Sequence, residues 1–234
     1  MFEMKNVAVS YGKRQVLSDI NLKVDSGEVL AIVGHNGSGK TTLIKSIANL
    51  VRVDAGSITM NGVAIENKNP KVAGDAGVRM LPSDYRGVFP SRTVKENLKV
   101  AAPKEVYKDR ALLEKTMEYC LNIFPALRQK LSQPAGSLSG GQQQMVAMSI
   151  ALMGRPKLLL LDEPSIGLQP NIVSDMLNEV RKLVDNTGLS VIIVEQNAKV
   201  ALQIADRVAA LRTGKIIHES AKENVSVDDL WNMF

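Results

Sequence analysis

A glycine-rich segment between an apolar run and a helical pattern carries the clearest chemical signal in the chain. Residues 34–41 read Gly-His-Asn-Gly-Ser-Gly-Lys-Thr and fit GxxxxGK(S/T), the pattern of loops that bind phosphate. Residues 29–33 before it are apolar and predict a buried strand, whereas residues 42–50 after it have apolar side chains at helical spacing. A chance glycine-rich turn does not require both flanking elements, but a phosphate loop does. The sequence therefore predicts a nucleotide site.

The residue types in this segment suit the binding of ATP and Mg²⁺. Glycines let backbone N–H groups approach phosphate oxygens, and the start of a helix adds a favourable potential there. We expect Lys40 to reach the β- and γ-phosphates and the Thr41 hydroxyl to hold Mg²⁺. Tyr11 could stack on a base, although its ring could equally cover the edge of the core. The expected ATP-binding residues are Tyr11, Gly34, His35, Asn36, Gly37, Ser38, Gly39, Lys40, Thr41 and Thr42.

Two acidic residues, Asp162 and Glu163, follow the apolar run 157–161. The carboxyl end of a buried strand is where α/β sheets bind ligands. We expect Asp162 to complete the Mg²⁺ shell, usually through water, and Glu163 to orient or deprotonate the attacking water. The alternative is a pair of solvated acids at a strand end. The phosphate loop upstream favours the catalytic interpretation.

Composition and charge limit the class of protein. The chain has 234 residues, a net charge of +5 and 45% hydrophobic residues, which suits one large domain or two small ones. The basic charge is spread along the chain and is weak support for nucleic acid or an anionic membrane surface. The one cysteine, Cys120, excludes an internal disulfide and suits a reducing compartment. Because no apolar run approaches about 18 residues, any membrane role must come through a partner. The first residues show no secretory signal.

Turn residues and apolar spacing predict alternating strands and helices. Cys120 lies on an apolar helical face with Leu113 and Met117, so we expect a packed thiol rather than a nucleophile. Strands are predicted at 2–9, 19–24, 77–81, 157–161 and 191–194, with hairpins over 56–65 and 208–217. Helices are predicted at 42–50, 93–98, most of 103–130, an amphipathic stretch after 137–144 to about residue 153, and 171–185.

With these pieces in place, the chain resembles the nucleotide-binding subunit of an ATP-binding-cassette (ABC) transporter. The most specific element is Leu138-Ser139-Gly140-Gly141-Gln142, which is similar to the family's signature sequence. The order of motifs also fits, and residues 165–168 resemble the loop that links two subunits. In this family two subunits pair head to tail, so the resemblance implies that Ser139, Gly140, Gly141 and Gln142 contact an ATP held by another subunit. A helix that opens at these residues would offer N–H groups to a γ-phosphate.

Two positions depart from the general family pattern. Pro82 is followed by Ser83 and Asp84 where a glutamine is usual, so Ser83 or Asp84 is a further candidate contact to Mg²⁺. Gln196 stands where a histidine is usual, and we expect it to contact the γ-phosphate or the attacking water as a neutral group. Residues 194–198 are similar to the second ATPase subunit of branched-chain amino-acid uptake systems and to related urea importers.

The resemblance implies an α/β fold with a P-loop ATPase core, an N-terminal antiparallel β subdomain and an inserted helical subdomain. We expect one domain over 1–234, with the core at about 1–84 and 155–234 and the helical part at about 85–154. The expected function is ATP hydrolysis that drives import of a small polar solute at the cytoplasmic face of the inner membrane, and the expected solutes are branched-chain or other amino acids. Expected partners are a second ATPase subunit, transmembrane permease subunits and a solute-binding protein, and no nucleic acid.

Other functions are weighed against this one. An ATPase of a urea importer or of an exporter would share the fold, and loops that face the membrane subunit would decide between them. A soluble cassette ATPase acting on nucleic acid or ribosomes typically joins two cassettes or carries long coiled coils, and this sequence has neither. A non-hydrolysing partner is disfavoured by the presence of both Lys40 and Glu163.

Overall fold

Two β-sheets and the helices around them make up the computed structural model, which describes residues 1–83 and 87–233. The strands are β1 (Phe2–Tyr11), β2 (Arg14–Val24), β3 (Val29–Val33), β4 (Ala55–Met60), β5 (Val63–Ala64), β6 (Val78–Leu81), β7 (Leu158–Asp162), β8 (Ser190–Glu195), β9 (Arg207–Arg212) and β10 (Lys215–Ala221). The helices are α1 (Lys40–Ile47), α2 (Pro70–Asp75), α3 (Val94–Ala101), α4 (Lys104–Lys108), α5 (Arg110–Ile123), α6 (Gly140–Met153), α7 (Pro170–Thr187), α8 (Ala198–Ile204) and α9 (Val227–Asn232). Short 3-10 helices cover Pro125–Lys130, Ala135–Ser137 and Lys222–Asn224.

The first sheet is antiparallel and has the strand order β2-β1-β4-β5. Its second hairpin turns at Asn61 and Gly62, which both have positive φ angles, as the sequence predicts. The strands predicted at 2–9 and 19–24 also form and pair, but the predicted boundaries nearest the turn are wrong: β1 extends to Tyr11 and β2 begins at Arg14. Tyr11 pairs directly with Arg14, so cross-strand pairing continues almost to the turn.

The second sheet has the order β10-β9-β3-β8-β7-β6, with β6, β7, β8, β3 and β9 parallel and β10 antiparallel at one edge. Every residue of β3, β7 and β8 is buried, as is usual for parallel strands covered on both faces. Asp162 is paired with Val194, and Val33 with Glu195. The register therefore brings the carboxyl ends of β3, β7 and β8 to one edge.

Two hydrophobic cores lie on opposite faces of the parallel sheet. Successive side chains of β7 alternate between them: Leu159 and Leu161 join the core that holds most of the helices, whereas Leu158 and Leu160 join the core shared with α1 and the antiparallel sheet. This alternation follows from the two-residue period of a strand. The sheet is therefore packed on both faces, and this packing fixes the positions of the strand ends that carry the polar residues.

Helices α3–α6 occupy the chain between β6 and β7, the place at which the sequence predicts a helical insertion. A capping box of Thr93 and Glu96 begins α3. The division into a core and a helical part stays a prediction, because its first boundary, near residue 85, falls outside the described residues. No helix within residues 1–83 and 87–233 is both long and apolar enough to cross a bilayer.

The predicted amphipathic character of α6 is wrong. Residues 146–149 and 151–153 of this helix are all buried, so the apolar surface is not confined to one face. The reason is that α6 packs against α3, α5 and β6 at the same time. A helix enclosed on several sides has no need of a polar face over most of its length.

Cys120 is fully buried on α5, as predicted, and its Sγ lies 3.6 Å from the carbonyl oxygen of Ser149 on α6. Burial raises the pKa of this thiol to about 12. Since the thiolate is the nucleophilic form, the group is a packing element rather than a reactive one.

We expect the Cys120 thiol to react with a neutral aromatic disulfide reagent only after the chain is unfolded. Burial excludes the reagent, and the raised pKa keeps the thiolate fraction low near neutral pH. The measurement is the rate of thiol release in buffer and in denaturing urea. A rate in buffer equal to that of the unfolded chain would contradict this prediction.

Candidate nucleotide-binding and catalytic site

The phosphate loop connects β3 to α1 at the carboxyl edge of the parallel sheet. β3 ends at Val33, and α1 begins at Lys40 after Gly39, which has a φ of +111°. Because β3 lies between β8 and β9, the loop emerges near the middle of the sheet. The first N–H groups of α1 have no partner within the helix and are available to an anion. The structure thus supplies the strand, loop and helix context that the sequence predicts.

Two glycines of this loop are required by close packing. A Cβ atom at Gly34 would lie 2.3 Å from the carbonyl oxygen of Leu211, and one at Gly39 would lie 2.8 Å from the Leu17 side chain. Gly39 also has a positive φ, which disfavours any other residue. At Gly37 the φ is positive as well, but the space around it is open. The phosphate loop therefore packs closely against neighbouring residues at Gly34 and Gly39, whereas the side of the loop at Gly37 is accessible.

The loop contains buried polar atoms that fit a phosphate group. Within the described part of the chain, the Ser38 hydroxyl is buried and has no hydrogen-bond partner. The Lys40 side chain is only 3% exposed, yet it carries a charge. An unsatisfied buried hydroxyl is costly, and a phosphate oxygen would satisfy it. These groups fit a bound nucleotide phosphate.

The ammonium group of Lys40 has three oxygen atoms close to it. Its Nζ donates to the carbonyl oxygens of Gly34 at 2.7 Å and His35 at 3.1 Å, and it forms an ion pair with Oε1 of Glu163 at 3.1 Å. A phosphate that approaches Lys40 therefore competes with the Glu163 carboxylate for this charge.

Asp162 lies between hydroxyl groups from two other elements. Thr41 Oγ1 donates to its Oδ1 at 3.2 Å, and Ser83 Oγ donates to its Oδ2 at 3.4 Å. Burial raises the pKa of this carboxyl, with the neighbouring Glu163 charge acting in the same direction, whereas the Thr41 hydrogen bond lowers it. A divalent cation would remove this penalty by compensating the charge.

The donor set at Asp162 fits Mg²⁺ better than a metal that needs several side-chain ligands. No group of three or more His, Cys, Asp or Glu side chains suited to a metal ion occurs in residues 1–83 and 87–233. Mg²⁺ commonly takes one or two protein oxygens and completes its shell with water and phosphate. Thr41 and Asp162 supply such oxygens, with Ser83 beside them. The other candidate, Asp84, lies outside the described residues.

Glu163 sits in an unusual backbone conformation directly after β7. Its φ is +45°, which is uncommon for a residue with a side chain, and its N–H donates to the carbonyl oxygen of Val194 at 2.9 Å. This bend directs the carboxylate toward Lys40 rather than along the strand. The side chain remains 14% exposed, so water can reach it.

The other predicted site residues lie around Lys40, Thr41, Asp162 and Glu163. His35, Asn36 and Gly37 are exposed on the loop, and Thr42 is half-buried on α1. Tyr11 is 51% exposed at the end of β1, as a ring available for stacking must be. Gln196 follows β8 and is exposed, and no other described residue forms a hydrogen bond with its side chain. The structure brings Lys40 into contact with Glu163 and Thr41 into contact with Asp162. Among the outer residues, His35 contacts Lys40 through its backbone carbonyl oxygen.

Sequence reasoning missed two residues that the structure places around the site. Glu195 is 1% exposed at the end of β8 and accepts hydrogen bonds from Ser165. Its position after the apolar run 191–194 was the available signal, since Asp162 follows a run of the same kind. Trp231 of α9 lies against the phosphate loop, with its ring 6.1 Å from that of His35. Nothing in the local sequence indicates this second contact.

The signature segment begins α6 and faces a separate cavity. The Ser139 hydroxyl accepts from the Gln142 N–H at 3.3 Å, and the Gln142 side chain accepts from the Ser139 N–H at 3.2 Å. A Cβ at Gly141 would lie 2.8 Å from Ile172 of α7, so this glycine permits close helix packing. The cavity measures about 450 Å³ and is lined by residues 139–142 and 167–169 but by no residue of the phosphate loop.

A phosphate loop joined to strand-end carboxylates in one parallel sheet defines a nucleotide-binding ATPase core. The chain matches the family described as ABC transporter over residues 17–166. It therefore belongs to the ABC transporter family, binds nucleotide and is an ATPase, as the signature segment predicts.

Two relatives and one solved structure extend this similarity over nearly the whole chain. The high-affinity branched-chain amino acid transport ATP-binding protein BraG of Pseudomonas aeruginosa is 37% identical over 93% of this chain and 91% of its own length. The probable branched-chain amino acid transport ATP-binding protein LivF of Archaeoglobus fulgidus is 36% identical over 92% and 90%. An ATP-binding cassette of an ABC transporter in its ADP conformation superimposes with a TM-score of 0.85 at 26% identity, over 99% of this chain and 93% of that one. The predicted fold class and family are confirmed.

We expect Lys40→Ala and Glu163→Gln to separate ATP binding from hydrolysis. Loss of the Lys40 charge removes its interaction with the phosphates, so ATP affinity falls. Glu163→Gln keeps the shape but is a poor base, and it weakens the hold on Lys40, so ATP binds at least as tightly while turnover nearly stops. The measurements are nucleotide affinity and phosphate release.

Lys71→Ala is the matched control for Lys40→Ala, because Lys71 is an exposed lysine that is ion-paired with Asp75 on α2. Its affinity and turnover are expected to equal those of the unchanged protein. Normal turnover by Glu163→Gln would exclude Glu163 as the base.

Proposed function

We propose that this chain is the ATP-hydrolysing subunit of an importer for branched-chain or other small amino acids. Hydrolysis rests on one observation above all: Glu163, at the end of β7, is held 3.1 Å from the phosphate-loop Lys40. The class of solute rests on the relatives BraG and LivF, which are named as branched-chain amino acid transport proteins. The import direction rests on another relative, the glutamate/aspartate import ATP-binding protein GltL of Escherichia coli, which is 34% identical over 95% of this chain.

In the proposed mechanism, nucleotide binding exchanges the partners of Lys40. The phosphates replace Glu163 as the ionic partner of Lys40, and the Ser38 hydroxyl donates a hydrogen bond to a phosphate oxygen. Thr41 and Asp162 hold Mg²⁺, which when bound neutralises charge on the phosphates. Glu163, released from Lys40, faces the attacking water and accepts its proton. Binding of the nucleotide and release of the base are thus one event.

Gln196 supplies a neutral contact in this scheme. Its exposed amide follows β8 at the edge where Glu163 follows β7, and these strands are neighbours in the sheet. An amide can donate to a phosphate oxygen and accept from a water molecule without changing its charge. Gln196 therefore orients the γ-phosphate or the water, whereas proton transfer falls to Glu163.

A second ATPase subunit completes the proposed site. Ser139 to Gln142 lie at the start of α6 and line the cavity of about 450 Å³, and no residue of this chain's phosphate loop lines that cavity. A γ-phosphate held by another subunit's loop would occupy it and meet the start of α6. The loop 165–168 is next to this surface, since Gly167 and Leu168 line the same cavity.

Transmembrane permease subunits and a solute-binding protein complete the proposed transporter. The chain would lie as a peripheral subunit at the cytoplasmic face of the inner membrane, with α3–α6 as a helical subdomain at about 85–154. The mild positive charge is spread along the chain and is only weak support for nucleic acid as a partner, which this proposal does not include.

We expect Ser139→Arg to lower turnover of the assembled transporter while leaving ATP affinity of the isolated chain nearly unchanged. A bulky cation at the start of α6 would block the cavity that receives the other subunit's nucleotide. The measurements are ATP affinity of the isolated chain and phosphate release by the assembly.

Thr93→Arg is the control for the loss of a helix cap, because Thr93 caps α3 through the same kind of capping box. It should leave ATP affinity unchanged and lower turnover less than Ser139→Arg. If Ser139→Arg reduced affinity and turnover equally, the signature would serve this chain's own site.

The solute is tested by reconstitution of the complete transporter. The membrane proteins that copurify with this chain are placed in vesicles with their solute-binding protein, and uptake of labelled leucine, glutamate and urea is compared. We expect ATP-dependent leucine uptake that Glu163→Gln abolishes. Uptake of urea alone, or transport out of the compartment that holds the binding protein, would overturn the proposal.

A further inference from the structure

Glu195 is a buried carboxylate that the proposed chemistry does not use. It ends β8 after four apolar residues, is 1% exposed, and stands directly before Gln196. Burial raises the pKa of its carboxyl, and hydrogen bonds from Ser165 oppose that effect. A strand end needs no carboxylate for packing, and a buried one is costly unless its oxygens are bonded. Its contacts therefore indicate what it does.

Both oxygens of Glu195 accept hydrogen bonds from Ser165 across the sheet edge, and the backbone of Asn197 forms a further hydrogen bond with the carboxylate. Oε1 accepts from the Ser165 backbone N–H at 3.1 Å, and Oε2 accepts from the Ser165 hydroxyl at 3.0 Å. Ser165 begins the loop 165–168, in which Ile166 is 56% exposed and Gly167 has a positive φ. The loop 165–168 is thus open to solvent, and Glu195 holds the first residue of this loop, Ser165, through two hydrogen bonds.

The neighbouring strand β8 holds the bend after β7 at two successive points. Val194 accepts from the Glu163 N–H at 2.9 Å, and Glu195 then holds Ser165. Glu163 lies between these attachments with a φ of +45°, a conformation that persists only where its surroundings enforce it. Losing the second attachment would let this bend relax.

We propose that Glu195 is a positioning residue that holds the segment 163–165 in its bent conformation. It thereby directs the Glu163 carboxylate and presents the loop 165–168 to the second subunit. This inference rests on the proposed catalytic role of Glu163. It adds a carboxylate that works through hydrogen bonds to the loop and touches neither nucleotide nor water.

The test compares Glu195→Ala, Glu195→Gln and Ser165→Ala with the control Ser190→Ala. Glu195→Ala removes both hydrogen bonds with Ser165. Glu195→Gln retains the geometry, since its carbonyl oxygen can accept from the Ser165 N–H while its NH₂ donates to the hydroxyl. Ser190 lies at the other end of β8, is also buried, and bonds to Asp25 through its hydroxyl at 2.9 Å. It therefore reports the cost of losing a buried hydrogen bond on the same strand away from the site.

Two measurements on the full-length chain separate the positioning role from general stability. The first is amide hydrogen exchange of the peptide 163–168, which should become faster in Glu195→Ala but not in Ser190→Ala. The second is ATP turnover in the assembled transporter. Glu195→Ala should lower kcat by about tenfold to a hundredfold with KM nearly unchanged, because a misdirected base slows the chemical step. Glu195→Gln should restore kcat to within about threefold of the unchanged protein.

Several outcomes would overturn the inference. These are unchanged exchange in Glu195→Ala, a kcat no lower than that of Ser190→Ala, or a Glu195→Gln variant as slow as Glu195→Ala. If Glu195→Ala does not fold, Ser165→Ala decides: faster exchange and a lower kcat than Ser190→Ala support the inference, and values equal to that control overturn it. Failure of the transport proposal would appear separately, as absent solute uptake with ATP turnover and exchange intact.

Discussion

The site depends on a buried ammonium group held between a loop and a strand-end carboxylate. Lys40 donates hydrogen bonds to two loop carbonyls and forms an ion pair with Glu163, so its charge is compensated although the side chain is almost inaccessible. A buried charge without such partners is strongly unfavourable, and loss of one partner of a buried pair typically costs about 3–5 kcal/mol. The loop conformation, the start of α1 and the bend after β7 must all be in place for this compensation. The Lys40–Glu163 ion pair therefore stabilises the site, and it is also the place where we expect the phosphate to bind.

The order of strands in the parallel sheet decides which chemistry can assemble. β3, β8 and β7 are neighbours, so the phosphate loop, Glu195 and the pair Asp162–Glu163 meet although they lie far apart in sequence. β6 is next to β7 and brings Ser83 to Asp162. Because apolar side chains fill both faces of the sheet, these strand ends cannot shift independently. Rigidity at the edge comes from the two cores, and polar contacts then set the finer positions.

Local sequence was sufficient for the parts of the site that are encoded by short patterns. The phosphate loop, the apolar run before Asp162 and the turn at Asn61 each have a local physical cause, and each lies where predicted. The enclosed character of α6 was not predictable in the same way, because it depends on three elements that pack around it. The ion pair of Lys40 with Glu163 and the Trp231–His35 contact likewise depend on sheet order and on the path of the tail. Local sequence patterns identify residues that can bind or react, whereas the contacts between residues far apart in sequence can be seen only in the folded structure.

Three acidic residues at neighbouring strand ends illustrate how environment assigns different tasks to one chemical group. Asp162 is buried beside two hydroxyls and suits a cation, whereas Glu163 is partly exposed and paired with a lysine that a phosphate can take away. Glu195 is only 1% exposed, and both of its oxygens accept hydrogen bonds from Ser165. Water therefore reaches Glu163, whose side chain is 14% exposed, more readily than it reaches Glu195. This difference in burial assigns proton transfer to Glu163, whereas the hydrogen bonds of Glu195 to the loop assign it to positioning.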